Sequence, residues 1–457
     1  MKVLDLWNNG DINIRKRLLN LAIPVFIENI FQLLFSFVDM FFVGFLGNVA
    51  LSAVGLGGQI VNIFIAILAS LTTGTLVMIA HSIGAKKYKA AQDYLRNSLS
   101  LGIVLSTFLF LFGLFFIDPF LSLLGAKESL ARLTSIYLKY ILIPGFLLVF
   151  IPIISAGLRG AGDTKTPLYV TIVANILNIF GDYVLVFGKL GFPAMGVAGA
   201  ALATSLSRFI ALIYLFIILY RKSSLFNFRL REILNLQKEK MFQILKIGIP
   251  TSLEQLFFSI GALIYATIVL QLGTRAYAAH RIALNIESLS FQPGFAFAVA
   301  VTTLVGQFRG AKEDDNAYKA SLEAWKIAVT FMGIIGVILF LFPVYLVKIF
   351  SREKDVINMA VLALKIIAFI QPLLATNMVM AGSLRGSGMS KLPMISNGLG
   401  MWLIRIPLTY FFINIMKLGF PGAWIAMALD ITFKALVNFY FFVIRKAWKK
   451  LVVKVSL

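Results

Sequence analysis

The chain has 457 residues, 60% of them hydrophobic and 14% charged, with a mean hydropathy of +0.90 and a formal net charge of +22. A soluble domain carries about 25% charged residues, so these figures exclude an ordinary soluble protein and describe a polytopic membrane protein. The absence of cysteine excludes disulfides and thiolate metal sites. The positive-inside rule accounts for the excess of Lys and Arg, so nucleic acid is not expected as a partner.

The opening residues, MKVLDLWNNGDINIRKR, lack the apolar run and the small-residue cleavage site of a signal peptide. Twelve apolar segments follow, over 18–44, 53–80, 97–117, 133–157, 167–187, 194–220, 243–271, 277–305, 322–347, 357–384, 392–415 and 421–444. Each is long enough to cross a bilayer. The expected fold is an all-α integral membrane protein with twelve transmembrane helices in two six-helix lobes.

The first segment carries a carboxylate, Asp39, in its apolar interior. A carboxylate at membrane depth costs about 2.5–3.5 kcal/mol on insertion scales and is a functional-site hypothesis by default. The fifth segment, VANILNIFGDYVLVFG, sets Asn175, Asn178 and Asp182 at spacings of three and four, which share one helix face. Two amides and a carboxylate facing Asp39 could supply the oxygens of a small cation site, with Na+ at Asp39, Asn178 and Asp182. The same two carboxylates could instead share a proton. The plain alternative is an interhelical hydrogen-bond network. Thr204, in the sixth segment, could add a hydroxyl or simply bond back to its own helix.

The connection at 221–242, rich in Lys, Arg, Leu and Phe, reads as a cytoplasmic amphipathic linker between the lobes. Beyond it, Glu254 lies one turn after Pro250, and the eighth segment carries His280, Arg281, Asn285, Glu287 and Gln292. Glu254, Glu287, Gln292 and, on the first helix, Gln32 are candidates to line a substrate cavity. His280 and Arg281 are expected near the outer interface, in contact with water. Connections on one side of the membrane hold 27 Lys and Arg and those on the other hold 9, which puts both termini in the cytoplasm of a cell (inner) membrane.

The two halves repeat each other. Pro24 and Pro250, Glu28 and Glu254, Gly47 and Gly273, Gly84 and Gly310, and Arg159 and Arg385 all stand 226 residues apart. The offset slips to 228 between GKLGFP at 188–193 and MKLGFP at 416–421. Six helices per copy make the repeat parallel. The resulting domains are an N-lobe over 1–220, the linker, and a C-lobe over 243–457. At the constant offset Asp39 aligns with Tyr265, and Asn178 and Asp182 align with Ile404 and Leu408. The membrane carboxylates of the first copy are thus expected to be missing from the second. There is no P-loop, no HExxH and no nucleophile arrangement, so direct ATP drive and enzymatic catalysis are not expected.

LAIPVFIENIFQLLFSFVDMFFVGFLGNVALSAVG resembles the first helix of the multidrug and toxic compound extrusion (MATE) transporters. LRGAGDTKTP, NILNIFGDYVLVFG and GVAGAALAT are similar to that family's fourth-to-sixth-helix region, and AAHRIALNIESLSFQPGFAFAVAVTTLVGQFRGA to its eighth helix and following loop. The resemblance covers nearly the whole chain. It implies a V-shaped pair of lobes and export of cationic, lipophilic drugs in exchange for H+ or Na+. It carries the family's first-lobe site onto Asp39, Asn175, Asn178, Asp182 and Thr204. In the second lobe it makes Glu254 and Glu287 candidates, whereas the tenth helix has Thr376 and Asn377 where an acid would stand. The expected function is a secondary multidrug antiporter, monomeric, with no cofactor beyond its coupling ion. Its expected partners are cationic drugs or dyes and membrane lipids. The alternative is a flippase of the same superfamily for lipids or lipid-linked oligosaccharides. The pyrophosphate of such a substrate would need deep basics among Lys139, Arg208, Lys326, Lys365, Arg405 and Lys434.

Overall fold

The computed structural model describes residues 12–222, 236–450 and 453. Most of the linker expected at 221–242 lies outside these residues. The described chain is helical, with no strand. Its long helices are α1 (Ile12–Gly44), α2 (Asn48–Gly84), α3 (Tyr88–Leu123), α4 (Glu128–Leu142), α5 (Gly145–Ala161), α6 (Lys165–Phe187), α7 (Val197–Lys222), α8 (Lys238–Leu270), α9 (Thr274–Ser290), α10 (Gln292–Gly310), α11 (Asp314–Leu341), α12 (Lys354–Gly386), α13 (Lys391–Ile415) and α14 (Phe420–Ile444), with short helical turns at Pro343–Lys348 and Ala447–Lys450. Ten are long and apolar enough to cross a membrane singly, and two bent pairs, α4 with α5 (50°) and α9 with α10 (42°), are so together. Counting each bent pair as one span gives the expected twelve among the described residues. Pro144 stands at the first bend, and Pro293 in the first turn of α10 follows the second. A proline lacks the N–H that would continue the helical ladder.

The chain forms two compact units. The N-unit comprises residues 27–249; the C-unit comprises residues up to 26 together with 250–454. Both α1 and α8 thus give their first turns to one unit and the rest to the other, and the division falls beside Pro24 and Pro250. Within the C-unit the first turns of α1 are held by Arg15 on Glu323 at 2.9 Å, and Glu323 also accepts from Lys326 at 2.8 Å. Within the N-unit the first turns of α8 are held by Lys240 on Asp93 at 2.6 Å.

The repeat has a physical basis in the LRG sequence that ends α5 and α12. In the N-unit, Arg159 donates to Glu28 at 2.7 Å and Thr171 adds a hydrogen bond at 3.1 Å. In the C-unit, Arg385 donates to Glu254 at 2.6 Å and Asn397 donates to the same oxygen. The following glycines, Gly160 and Gly386, lie against the backbone carbonyls of Leu76 and Thr302, where any Cβ would collide. Every member of one set stands 226 residues from its counterpart. Close backbone approach through small residues is how helices associate without a hydrophobic drive in lipid. Gly386→Leu is expected to destabilise by about 1–3 kcal/mol or more. Thermal melting in detergent checks this against Gly55→Leu, whose site has open space and which should melt like the parent.

The slip from 226 to 228 also has a structural cause. α6 is a regular helix of 23 residues, whereas α13 has 25 and contains two π-helical segments, Gly400–Arg405 and Phe411–Ile415. A π segment inside an α-helix accommodates an extra residue in one turn, and two of them account for the two-residue excess. Past the first, the offset is 227, which sets Arg405 opposite Asn178 and Thr409 opposite Asp182. Burial agrees, since all four are buried while Ile404 and Leu408 are not. The expected alignment of Asn178 and Asp182 with Ile404 and Leu408 is therefore corrected by one residue.

Candidate functional site

In the N-unit, α1, α6 and α7 bring four of the five first-lobe candidates together. Asn178, Asp182 and Thr204 are buried, Asp182 completely, and Asp39 is partly buried. With the Asn178 amide turned to satisfy both of its ends, its nitrogen donates to Asp182 Oδ2 at 2.8 Å. Its oxygen then accepts from the Thr204 hydroxyl at 3.1 Å and the Thr204 N–H at 3.0 Å. The Thr204 hydroxyl shares its one hydrogen between that oxygen and the Ala200 carbonyl, 3.0 Å away. Asn175 is committed elsewhere, its amide donating to the Phe31 carbonyl of α1 at 3.1 Å.

Asp39 and Asp182 interact electrostatically. Oδ1 of each is buried and accepts no hydrogen bond. Asp39 is also attracted by Arg208, and Tyr137 of α4 is coupled to the same charges. Sequence reasoning counted Arg208 only among the deep basics and passed over Tyr137. The signal for Arg208 was its place one turn after Thr204 on α7, a spacing that shares a face. Among the described residues no three His, Asp or Glu side chains converge as for a multivalent metal. Two carboxylates, an amide and a hydroxyl suit a monovalent cation or a proton.

The second-unit candidates have other partners. Glu254 is tied to Arg385 and Asn397, as described above. Glu287 is buried on α9 and attracted by Arg405. Gln292 is buried at the α9–α10 bend, where its amide donates to the Ser288 carbonyl at 3.1 Å. Gln32 is exposed on α1. Thr376 accepts from the Trp325 indole at 2.9 Å, and Asn377 accepts from Asn438 at 2.8 Å. His280 is not at a watery interface. It is completely buried, with its ring centroid 5.2 Å from that of Tyr265 and 5.5 Å from that of Trp424. Its neighbour Arg281 is exposed.

The C-unit also holds a carboxylate that the sequence reading missed. Asp430 on α14 is fully buried, and its Oδ2 accepts from Arg405 Nε at 2.7 Å and from Lys434 Nζ at 2.8 Å. The PG at 421–422, which opens α14, is two residues shorter than the PAMG at 193–196, which precedes α7; this returns the offset from 228 to 226 and sets Asp430 opposite Thr204 and Lys434 opposite Arg208. Gly400, which opens the first π segment, lies against Asp430 and Lys434, where a Cβ would displace them.

The MatE family profile matches residues 24–184 and 250–411, once in each copy of the repeat. The chain belongs to the MatE family, the multidrug and toxic compound extrusion (MATE) transporters. It is 40% identical to a probable multidrug resistance protein NorM of Thermotoga maritima, over 96% of this chain and 94% of that protein. It is 25% identical to the probable multidrug resistance protein YoeA of Bacillus subtilis, over 94% and 93% of the two chains. Among solved structures it is similar to a multidrug resistance MATE transporter of the MOP superfamily in an outward-facing conformation. The TM-score is 0.89 at 26% identity, with 99% of each chain covered. A MOP superfamily transporter from Pyrococcus furiosus gives the same TM-score at 27% identity, again over 99% of each chain. This MATE protein is thus a multi-pass membrane transporter, and its two family matches end within α6 and α13, the equivalent helices of the two copies.

Proposed function

We propose that this MATE protein is a secondary antiporter of the cell membrane, with both termini in the cytoplasm. It exports cationic, lipophilic compounds in exchange for inward H+ or Na+. The observation that carries this reading is the pair of N-unit carboxylates, Asp39 and Asp182, which repel each other and are answered among the described residues by one base, Arg208, acting on Asp39. Such a site is electrostatically unfinished, and a coupling cation completes it. The cation must favour the state that holds cargo least, because a ligand shifts an equilibrium only by its difference in affinity for the two states. Asp39, Asn178, Asp182 and Thr204 bind the cation, and Asn175 fixes α6 to α1 beside them. Aromatic and Met side chains offer dispersion and cation–π contacts to the drug.

The deep basics give no support to a flippase for pyrophosphate-bearing lipids. Lys139 is paired with Asp118 at 2.8 Å, Lys326 with Glu323, and Arg405 and Lys434 with Asp430. Arg208 answers Asp39, and Lys365 lies 5.8 Å from the Phe340 ring centroid.

The test is transport of a fluorescent cationic dye by inverted vesicles, with a proton gradient and a sodium gradient imposed separately. Dye movement driven by one gradient supports antiport and names the ion. Intact protein that responds to neither overturns it.

A further inference from the structure

The matched polar clusters of the two units differ in one countable property, their charge. In the N-unit the interacting set is Asp39, which attracts Arg208 and repels Asp182, with neutral Tyr137, Asn178 and Thr204. It holds two acids and one base. In the C-unit the corresponding set is Asp430 with Arg405 and Lys434, extended by Glu287, which Arg405 attracts, and by the Glu254–Arg385 pair, whose carboxylate attracts Lys434. Three acids meet three bases there, and Tyr265, His280 and Trp424 close the set with neutral rings; one oxygen of each acid accepts no hydrogen bond, as in the N-unit, so the two sets differ in charge and not in unpartnered oxygens. The substitutions behind the difference fall at equivalent positions. Arg405 replaces Asn178, Asp430 replaces Thr204, Lys434 replaces Arg208 and Tyr265 replaces Asp39.

We propose that Arg405 and Lys434 are built-in counter-ions that complete the C-unit cluster without any external ion. The N-unit, short by one positive charge, then takes one monovalent cation per transport cycle. This deepens the antiport reading and rests on it. The geometry for it is direct. One Asp430 oxygen receives both cationic groups at 2.7 and 2.8 Å, and the guanidinium of Arg405 also lies over the Tyr265 ring, 5.6 Å from its centroid. The π segment and Gly400 make the room that two long cationic side chains need. In a medium where unbalanced charge is expensive, a neutral cluster has nothing to gain from a further cation, and a cluster with a deficit of one gains from a single cation.

The test uses the full-length protein in proteoliposomes. Initial dye-transport rates are measured against the concentration of the coupling ion, below saturation. Wild type should be first order in the ion, so tenfold dilution lowers the rate about tenfold. Arg405→Gln and Lys434→Met each open a one-charge deficit in the C-unit, so in these variants thermal stability in detergent should rise with added coupling ion in a way that survives Asp182→Asn. Having two such variants guards against one that fails to fold. A second-order wild type, with rates falling about a hundredfold on tenfold dilution, that becomes first order in Glu287→Gln would overturn the proposal by showing that the C-unit binds an ion. So would folded Arg405→Gln and Lys434→Met proteins whose stability ignores the ion. A wild type that responds to no cation gradient would overturn the antiport reading and this inference together.

Discussion

Asp182→Asn should fold at least as well as the parent and lose gradient-driven dye export. The residue is fully buried, and its Oδ2 accepts from the Asn178 amide. An asparagine keeps the shape and the acceptor oxygen while removing a charge that membrane insertion penalises by about 2.5–3.5 kcal/mol. Melting temperature should therefore hold or rise. The cation, however, loses a charged ligand, and an interaction with a charged partner contributes about 1.5–3 kcal/mol. That corresponds to a roughly ten- to hundredfold loss of cation affinity. There is a second consequence. Without the Asp182 charge, Asp39 and Arg208 balance each other, so the site is neutral when empty. It should behave as if permanently loaded, and the ion gradient has no difference left to act on. Asp39→Asn should give the same loss, because the cation again loses a charged ligand and the carboxylate that Arg208 answers is gone. Dye transport under an imposed gradient, measured beside a melting curve, checks both variants. Export that still follows the gradient in either stable variant would place the coupling site elsewhere.

Much of this site was legible in the sequence because its signals are local. An acid inside an apolar run and three polar residues at spacings of three and four need no tertiary information. The twelve spans and the repeat were legible for a related reason: the LRG sequences, Glu28 and Glu254 recur at a fixed interval since each pair performs the same contact in its own unit. What the sequence hid came from register. The two π segments of α13 add residues without changing composition, so a constant offset put Ile404 and Leu408 where Arg405 and Thr409 belong. The C-unit cluster then looked like an apolar gap. His280 was misplaced for another reason. A histidine near a predicted helix end looks wet by position, and only the rings of Tyr265 and Trp424, one from α8 and one from α14, show that it is enclosed. Arg208 was visible as a deep base, but its relation to Asp39 joins α7 to α1 across nearly the whole N-unit sequence.

Asp430→Ala should do the opposite of Asp182→Asn and damage the fold. It removes the carboxylate that holds Arg405 and Lys434 and leaves two cations buried without their shared partner. Breaking a buried ion pair from one side typically costs about 3–5 kcal/mol, a large fraction of the 5–15 kcal/mol that stabilises a typical protein. The variant should express poorly and melt well below the parent. The cause can be separated from the simple loss of a side chain. Asp430→Leu combined with Arg405→Met, Lys434→Met and Glu287→Gln removes two charges of each sign together, and replacing a buried ionic group by uncharged residues of similar size is often neutral or stabilising. The fourfold variant should therefore recover most of the melting temperature lost in Asp430→Ala. If Asp430→Ala melts like the parent, the two cations are not held as the 2.7 and 2.8 Å contacts imply. The contrast with Asp182 follows from what each copy of the repeat must do. On the proposed antiport, a carboxylate that exchanges its cation every cycle is not permanently satisfied, so its loss should spare the fold and stop the work. A carboxylate whose cations are covalently part of the chain is never emptied, so its loss is felt as instability.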